Sequence, residues 1–135
     1  MVAEAQLIPY TIPMITYIYA VIALLITLGA HILGMHGLYM QYPWYDIFMH
    51  ILGGVGIGLF LTAFVKSNLP NLKHRRTKVI TGVFIAGLIW ELIEVHYDIA
   101  GEPLWTKAYY LDTLKDLIDD TIGGALVAWL SFRKR

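Results

Sequence analysis

The sequence predicts an all-α integral membrane protein, a four-helix bundle that runs up, down, up and down. Two observations carry that expectation. Hydrophobic residues make up 58% of the chain and charged residues 15%, and the mean hydropathy is +0.62, too apolar for an ordinary soluble globule. The apolar residues also gather into segments of about 20, the length a helix needs to cross ~30 Å of hydrocarbon. Short connections between these segments make consecutive helices antiparallel neighbours. With 135 residues, the expectation is one transmembrane domain over 1–135. The chain has no cysteine, so thiol chemistry, disulfides and thiolate metal sites are excluded.

Four spans follow in order. The first covers 14–33, with Pro13 placed in its first turn, where a missing N–H costs least. The opening MVAEAQ has no basic region and the apolar run no clear cleavage site, so this span reads as a retained helix. The second covers 44–65 and the third 78–97. The fourth, 113–132, is less apparent, because only Thr121 to Phe132 is continuously apolar. Extending it back through LDTLKDLIDD puts Leu111, Leu114, Leu117 and Ile118 on one stripe and Asp112, Asp116, Asp119 and Asp120 on another. An amphipathic half of this kind can turn its acids toward neighbouring helices.

Lys66, Lys73, Arg75, Arg76 and Lys78 lie between spans two and three, and Arg133, Lys134 and Arg135 end the chain. Eight of the ten Lys and Arg residues therefore fall on one side, which the positive-inside rule assigns to the cytoplasm. Both termini are then cytoplasmic, in the cell membrane. Tyr39, Tyr42, Trp44, Tyr45, Trp105, Tyr109 and Tyr110 fall on the opposite side as an outer aromatic belt. The basic loop is suited to anionic headgroups, and nucleic-acid binding is not expected.

Ionisable residues interrupt this apolar frame at one depth. At about 1.5 Å of rise per residue, His50 lies about 22 Å from Val65, Glu94 about 22–24 Å from Lys78 and Glu91 about 18–20 Å from it. By the same count Asp120 lies about 18 Å and Asp116 about 24 Å from Phe132, and His31 about 25 Å from Met14. Asp46 and His50 are spaced i,i+4 and Glu91 and Glu94 i,i+3, so each pair shares a helix face. Gly53, Gly54, Gly56, Gly58, Gly123 and Gly124 follow just inward of this layer, and small residues let helix backbones approach closely.

Carboxylates gathered in a low-dielectric site repel one another unless they are protonated, paired with cations or bound to a metal. Lys107 and Lys115 are the only basic side chains on that side apart from histidines, and both are expected to snorkel outward. A divalent cation is then the simplest compensation. Its candidate ligands are His50, Glu91, Glu94, Asp116, Asp120, Asp46 and His31, an oxygen- and imidazole-rich set compatible with Zn, Mn, Fe or Mg. Asp112 and Asp119 are expected to be solvated or capping groups near the start of the helix.

Three of these patterns, in order, resemble small membrane proteins of the VanZ-like and YjdF-like groups. They are Asp46-x-x-x-His50, then Trp90-Glu91-Leu92-Ile93-Glu94, then Asp112-Thr113-x-x-Asp116-x-x-x-Asp120-x-x-Gly123. The resemblance covers about Tyr45 to Trp129. Glu94 and Asp120 stand where VanZ-like proteins tend to have Gln and Asn, which makes this site more acidic and the YjdF-like pattern the nearer one. The resemblance supports the site positions. It implies a link to glycopeptide-antibiotic tolerance only through the VanZ-like side.

Function can then take three forms. In the first, a metal-dependent membrane enzyme performs hydrolysis or group transfer on a lipid-linked substrate at the outer leaflet, with Glu91 and Asp116 as catalytic groups. In the second, the acidic layer is an ion or proton site of a transport module, with a homo-oligomer supplying any pathway. In the third, the acids bind a polar headgroup or an antibiotic without chemistry. The cytoplasmic halves of the spans are nearly free of polar groups, which favours a one-sided cup over a channel.

Overall fold

The computed structural model describes residues 2–99 and 101–133, with side chains from residue 13 onward. Lys134 and Arg135, which entered the orientation argument, lie outside the described residues. Four long helices, α1 (Val2–Leu33), α3 (Pro43–Asn68), α4 (Arg75–Tyr97) and α5 (Lys107–Ser131), make up the fold, and the described residues contain no strand. A widened helical turn, Gly34–Leu38, and the short α2 (Tyr39–Gln41) link α1 to α3.

The helix ends follow from local chemistry. Pro43 sits in the first turn of α3, where its fixed φ suits the helix, and Asp46 in that turn faces the positive end of the helix dipole. Thr106 caps α5 by accepting a hydrogen bond from the Tyr109 N–H at 3.2 Å. α1 departs from the expected start at residue 14. It runs through Pro13 from Val2, because Ala, Glu, Gln and Leu upstream are strong helix formers. The residues after Leu33, expected as an outer loop, continue as helix until Gly37, whose φ of 122° turns the chain back toward α3.

α1 and α5 both pack on α3, and α4 packs against α5 and α3. Three helices, Pro13–Gln41, Pro43–Asn68 and Arg75–Tyr97, are long and apolar enough to cross a membrane. α5 is not among them, because Asp112, Lys115, Asp116, Asp119 and Asp120 fill its first half. Many large apolar side chains point outward, including Leu25, Leu92 and Leu130, as expected of helices solvated by lipid.

One end of the bundle is an apolar plug. Val65, Val79 and Ala128 are buried there with Leu61, Leu72, Ile80 and Phe132 around them. Arg76 donates from Nη2 to the Phe132 carbonyl at 2.7 Å, and the Lys66 ammonium lies over the Phe132 ring.

Glycines set the α3–α5 approach. A Cβ on Gly54 would overlap the backbone carbonyl of Asp120, and one on Gly123 would overlap that of Ile51. Next along the same seam, a Cβ on Gly58 would lie 3.1 Å from the Gly124 Cα. This is the close crossing that small residues at four-residue spacing permit.

Candidate functional site

The close crossing of α3 and α5 decides which side chains meet. With Gly54 against the Asp120 backbone, the preceding turn of α3 brings His50 and Asp46 alongside Asp116 and Asp120 of α5. His50 is buried, and its two ring nitrogens face different partners. Nε2 lies 3.7 Å from Asp46 Oδ1 and 3.7 Å from Asp116 Oδ1, whereas Nδ1 lies 3.5 Å from Asp120 Oδ1. Asp46, His50 and Asp116 each offer one ligand atom, all within 4.8 Å of one another, close enough to hold a metal ion.

Asp120 occupies the opposite edge of the imidazole, and its position is fixed by a second glycine. A Cβ on Gly87 of α4 would come 2.6 Å from Asp120 Oδ2, so the carboxylate fits only because that side chain is missing. Three helices therefore determine where Asp120 sits.

Lys115 corrects an expectation. Rather than snorkelling outward, its ammonium turns into the cluster, 2.5 Å from Asp46 Oδ2, 3.0 Å from Asp112 Oδ1 and 2.9 Å from Asp116 Oδ1. The physical reason is that the stem leaves α5 between Asp112 and Asp116, where three carboxylates outcompete the interface for its charge. Asp112 is accordingly an ion-pair partner one and a half turns into α5, not a cap. Asp119 is likewise not solvated. It is buried at 8% exposure, and its Oδ2 has no hydrogen-bond partner among the described residues.

Glu91 and Glu94 belong to the same end of the bundle but make other contacts. Glu91 is buried and accepts a hydrogen bond at Oε2 from the Thr113 hydroxyl at 2.8 Å, tying α4 to α5. Its other oxygen, Oε1, is buried without a hydrogen-bond partner among the described residues. Glu94 Oε1 accepts from the Trp90 indole N–H at 2.8 Å. His31 shares a hydrogen bond with the Tyr39 hydroxyl at 2.8 Å and meets the Trp90 ring edge-on. Tyr45 donates to the Ala30 carbonyl at 2.7 Å and holds α1 against the start of α3.

Beside this cluster lies a half-open cavity of about 290 Å³ between α1, α3 and α4. His31, Tyr39, His50, Trp90, Glu94 and Asp120 line one part of it, and Leu24, Leu28, Ile57 and Val83 are among its apolar lining. His50 thus separates two compartments, with the lysine and its acids on the Nε2 side and Asp120 with the cavity on the Nδ1 side. Of the residues marked in the sequence, Asp46, His50 and Asp116 meet directly and Asp120 meets His50 from behind. Glu94 and His31 reach the same region through the cavity wall. Sequence reasoning missed Lys115 as a partner. The signal available was its i,i+3 spacing from Asp112 on the acidic stripe.

No curated protein and no solved structure matches the chain. The profile of a family described as predicted membrane protein (DUF2238) matches residues 2–135. Apolar helices of spanning length and a profile match over nearly the whole chain agree, and the chain belongs to that family of membrane proteins.

Proposed function

We propose that this is a multi-pass protein of the cell membrane, with both termini cytoplasmic, that holds a divalent cation at Asp46, His50 and Asp116 near the outer leaflet. The observation that carries the reading is the convergence of those three donor atoms within 4.8 Å. Charge supports it further. Asp46, Asp112, Asp116 and Asp120 face one ammonium and one imidazole, so the cluster stays short of positive charge even with Lys115 in place. The placement of Asp120 on the second ring nitrogen is also what a metal-binding histidine requires, since a carboxylate there orients the ring and raises its basicity. Oxygen and imidazole donors suit Zn, Mn, Fe or Mg.

The chemistry proposed is hydrolysis or group transfer on a lipid-linked substrate. Asp46, His50 and Asp116 would hold the cation, which would supply polarisation of a carbonyl or phosphoryl oxygen and activation of water. Glu91, with Oε1 lacking a hydrogen-bond partner among the described residues, is the candidate base, and Asp116 combines a ligand role with the ion pair to Lys115. The apolar plug at the other end supports a one-sided cup over a channel.

One observation favours a second reading. The Lys115 ammonium already sits among Asp46, Asp112 and Asp116, so the cluster can serve as an ion-paired proton or ion site with no metal. Elemental analysis of detergent-purified protein, followed by Mn²⁺ titration of the wild type and Asp46→Asn, separates the two. Bound cation in the wild type and weakened binding in the variant support the first reading. No binding above background, together with cation or proton flux in proteoliposomes, supports the second.

A further inference from the structure

α1 and α4 both pack on α3 and contribute to one cavity wall, yet among the described residues they meet little, one contact being the edge of the His31 ring on Trp90, with centroids 5.4 Å apart. The half-open cavity lies along this seam. Its lining residues Val83 and Glu94 are separated by about 16 Å of helix rise, close to the depth of one leaflet in ~30 Å of hydrocarbon. Val83 and Ile57 lie at the inward end, and the polar groups His31, Glu94 and Asp120 lie outward. A partly open cavity with apolar groups at one end and polar groups at the other has the two-part character of a membrane amphiphile.

We propose that this cavity takes one hydrocarbon chain of an outer-leaflet amphiphile, entering sideways between α1 and α4, and holds a hydroxyl- or amine-bearing head at His31, Glu94 and Asp120. The head chemistry follows from the lining, because the carboxylates of Glu94 and Asp120 are acceptors and favour a donor-bearing head over a bare anion. The head would then lie against the Nδ1 side of His50, next to the acid–lysine cluster. This rests on the reading above for the orientation in the bilayer and for the chemistry beside the head. The slot itself stands on the packing of α1, α3 and α4.

The test uses the full chain in phosphatidylethanolamine–phosphatidylglycerol vesicles and a monoacylglycerol carrying a diazirine at the end of its chain. After illumination, peptide mapping is expected to find label concentrated near Ile57 and Val83. Gly53→Leu should reduce that label severalfold. Gly53 lines the cavity, and a Cβ there comes no closer than 3.8 Å to Asp120 Oδ1 and 3.9 Å to Thr27 Cγ2, so the variant fills the slot without a backbone clash. Ala86→Phe fills the same slot from α4 and gives an independent variant. Leu92→Phe, on the exposed face of α4, should leave the label unchanged. Label spread evenly over outward residues such as Leu88 and Leu126, and indifferent to both filling variants, overturns the proposal. Mn²⁺ binding measured in the same vesicles separates the two ideas. Slot-specific label without Mn²⁺ binding removes the metal reading alone, and Mn²⁺ binding with indifferent label removes the slot alone.

Discussion

The ammonium of Lys115 on α5 lies 2.5 Å from Oδ2 of Asp46 on α3, joining two helices across 69 positions of sequence. The same ammonium touches Asp112 and Asp116, so one side chain holds three acids at one end of the bundle. It stands beside the place proposed for a divalent cation, which makes the two positive charges competitors for Asp46 and Asp116.

Lys115→Met therefore has two expected effects of opposite sign. Breaking a fully buried pair costs about 3–5 kcal/mol. Lys115 is 37% exposed, so a loss of about 1–2 kcal/mol is expected in the absence of divalent cation. Mn²⁺ should bind the variant more tightly than the wild type and restore its stability, because a ligand of the folded state alone stabilises it. Unfolding in detergent, with and without Mn²⁺, reads both effects. A variant whose stability ignores Mn²⁺ contradicts the competition.

Asp120→Asn tests the orienting role at the second ring nitrogen of His50. The amide is nearly isosteric, so the fit over Gly87 is retained, but the negative charge at 3.5 Å from Nδ1 is lost. Mn²⁺ affinity is expected to fall by about 10–100-fold, the range typical of an outer-shell partner of a metal ligand. Calorimetric titration measures it, and an unchanged affinity would show that Asp120 does not act on the site through His50.

The glycines give a paired prediction within one dipeptide. Gly54→Ala pushes a methyl into the Asp120 carbonyl and should cost about 1–3 kcal/mol by forcing α3 and α5 apart. Gly53→Ala meets nothing closer than 3.8 Å and should be neutral or stabilise by about 0.5–1 kcal/mol through helix propensity. Thermal unfolding of the two purified variants in one detergent compares them directly.

Orientation can be read with the help of composition. The chain has no cysteine, so single-cysteine variants are unambiguous. Gln41→Cys, at the end of α2, should react with a membrane-impermeant maleimide in intact cells. Asn71→Cys, between α3 and α4, should react only after permeabilisation. The reverse pattern inverts the proposed topology.

Much of this architecture was legible because helices expose their logic as spacing. The apolar segments announced an all-α bundle, and the i,i+4 pair Asp46 and His50 announced a shared polar face. The glycines of α3 and α5 marked the seam along which those helices meet. Lys115 was not legible in the same way. Its stem can reach either the interface or the protein, and only the position of Asp46 on another helix decides between them. Asp119 was misjudged for a related reason, since its burial depends on which flank of α5 its neighbours cover. The helix upstream of the first span was not legible, because a proline at position 13 reads as a first-turn residue, whereas α1 runs through it from Val2. The apolar part of the cavity between α1 and α4 was not legible in the sequence, because it arises from two helices that share a neighbour and meet little themselves.

The central claim, a divalent cation held in part by the imidazole of His50, is tested most directly by pulsed electron paramagnetic resonance of the Mn²⁺-loaded protein labelled with ¹⁵N-histidine. The account predicts a ¹⁵N hyperfine coupling in the wild type that disappears in His50→Gln. A Mn²⁺ signal lacking nitrogen coupling, or one that survives unchanged in His50→Gln, would contradict it.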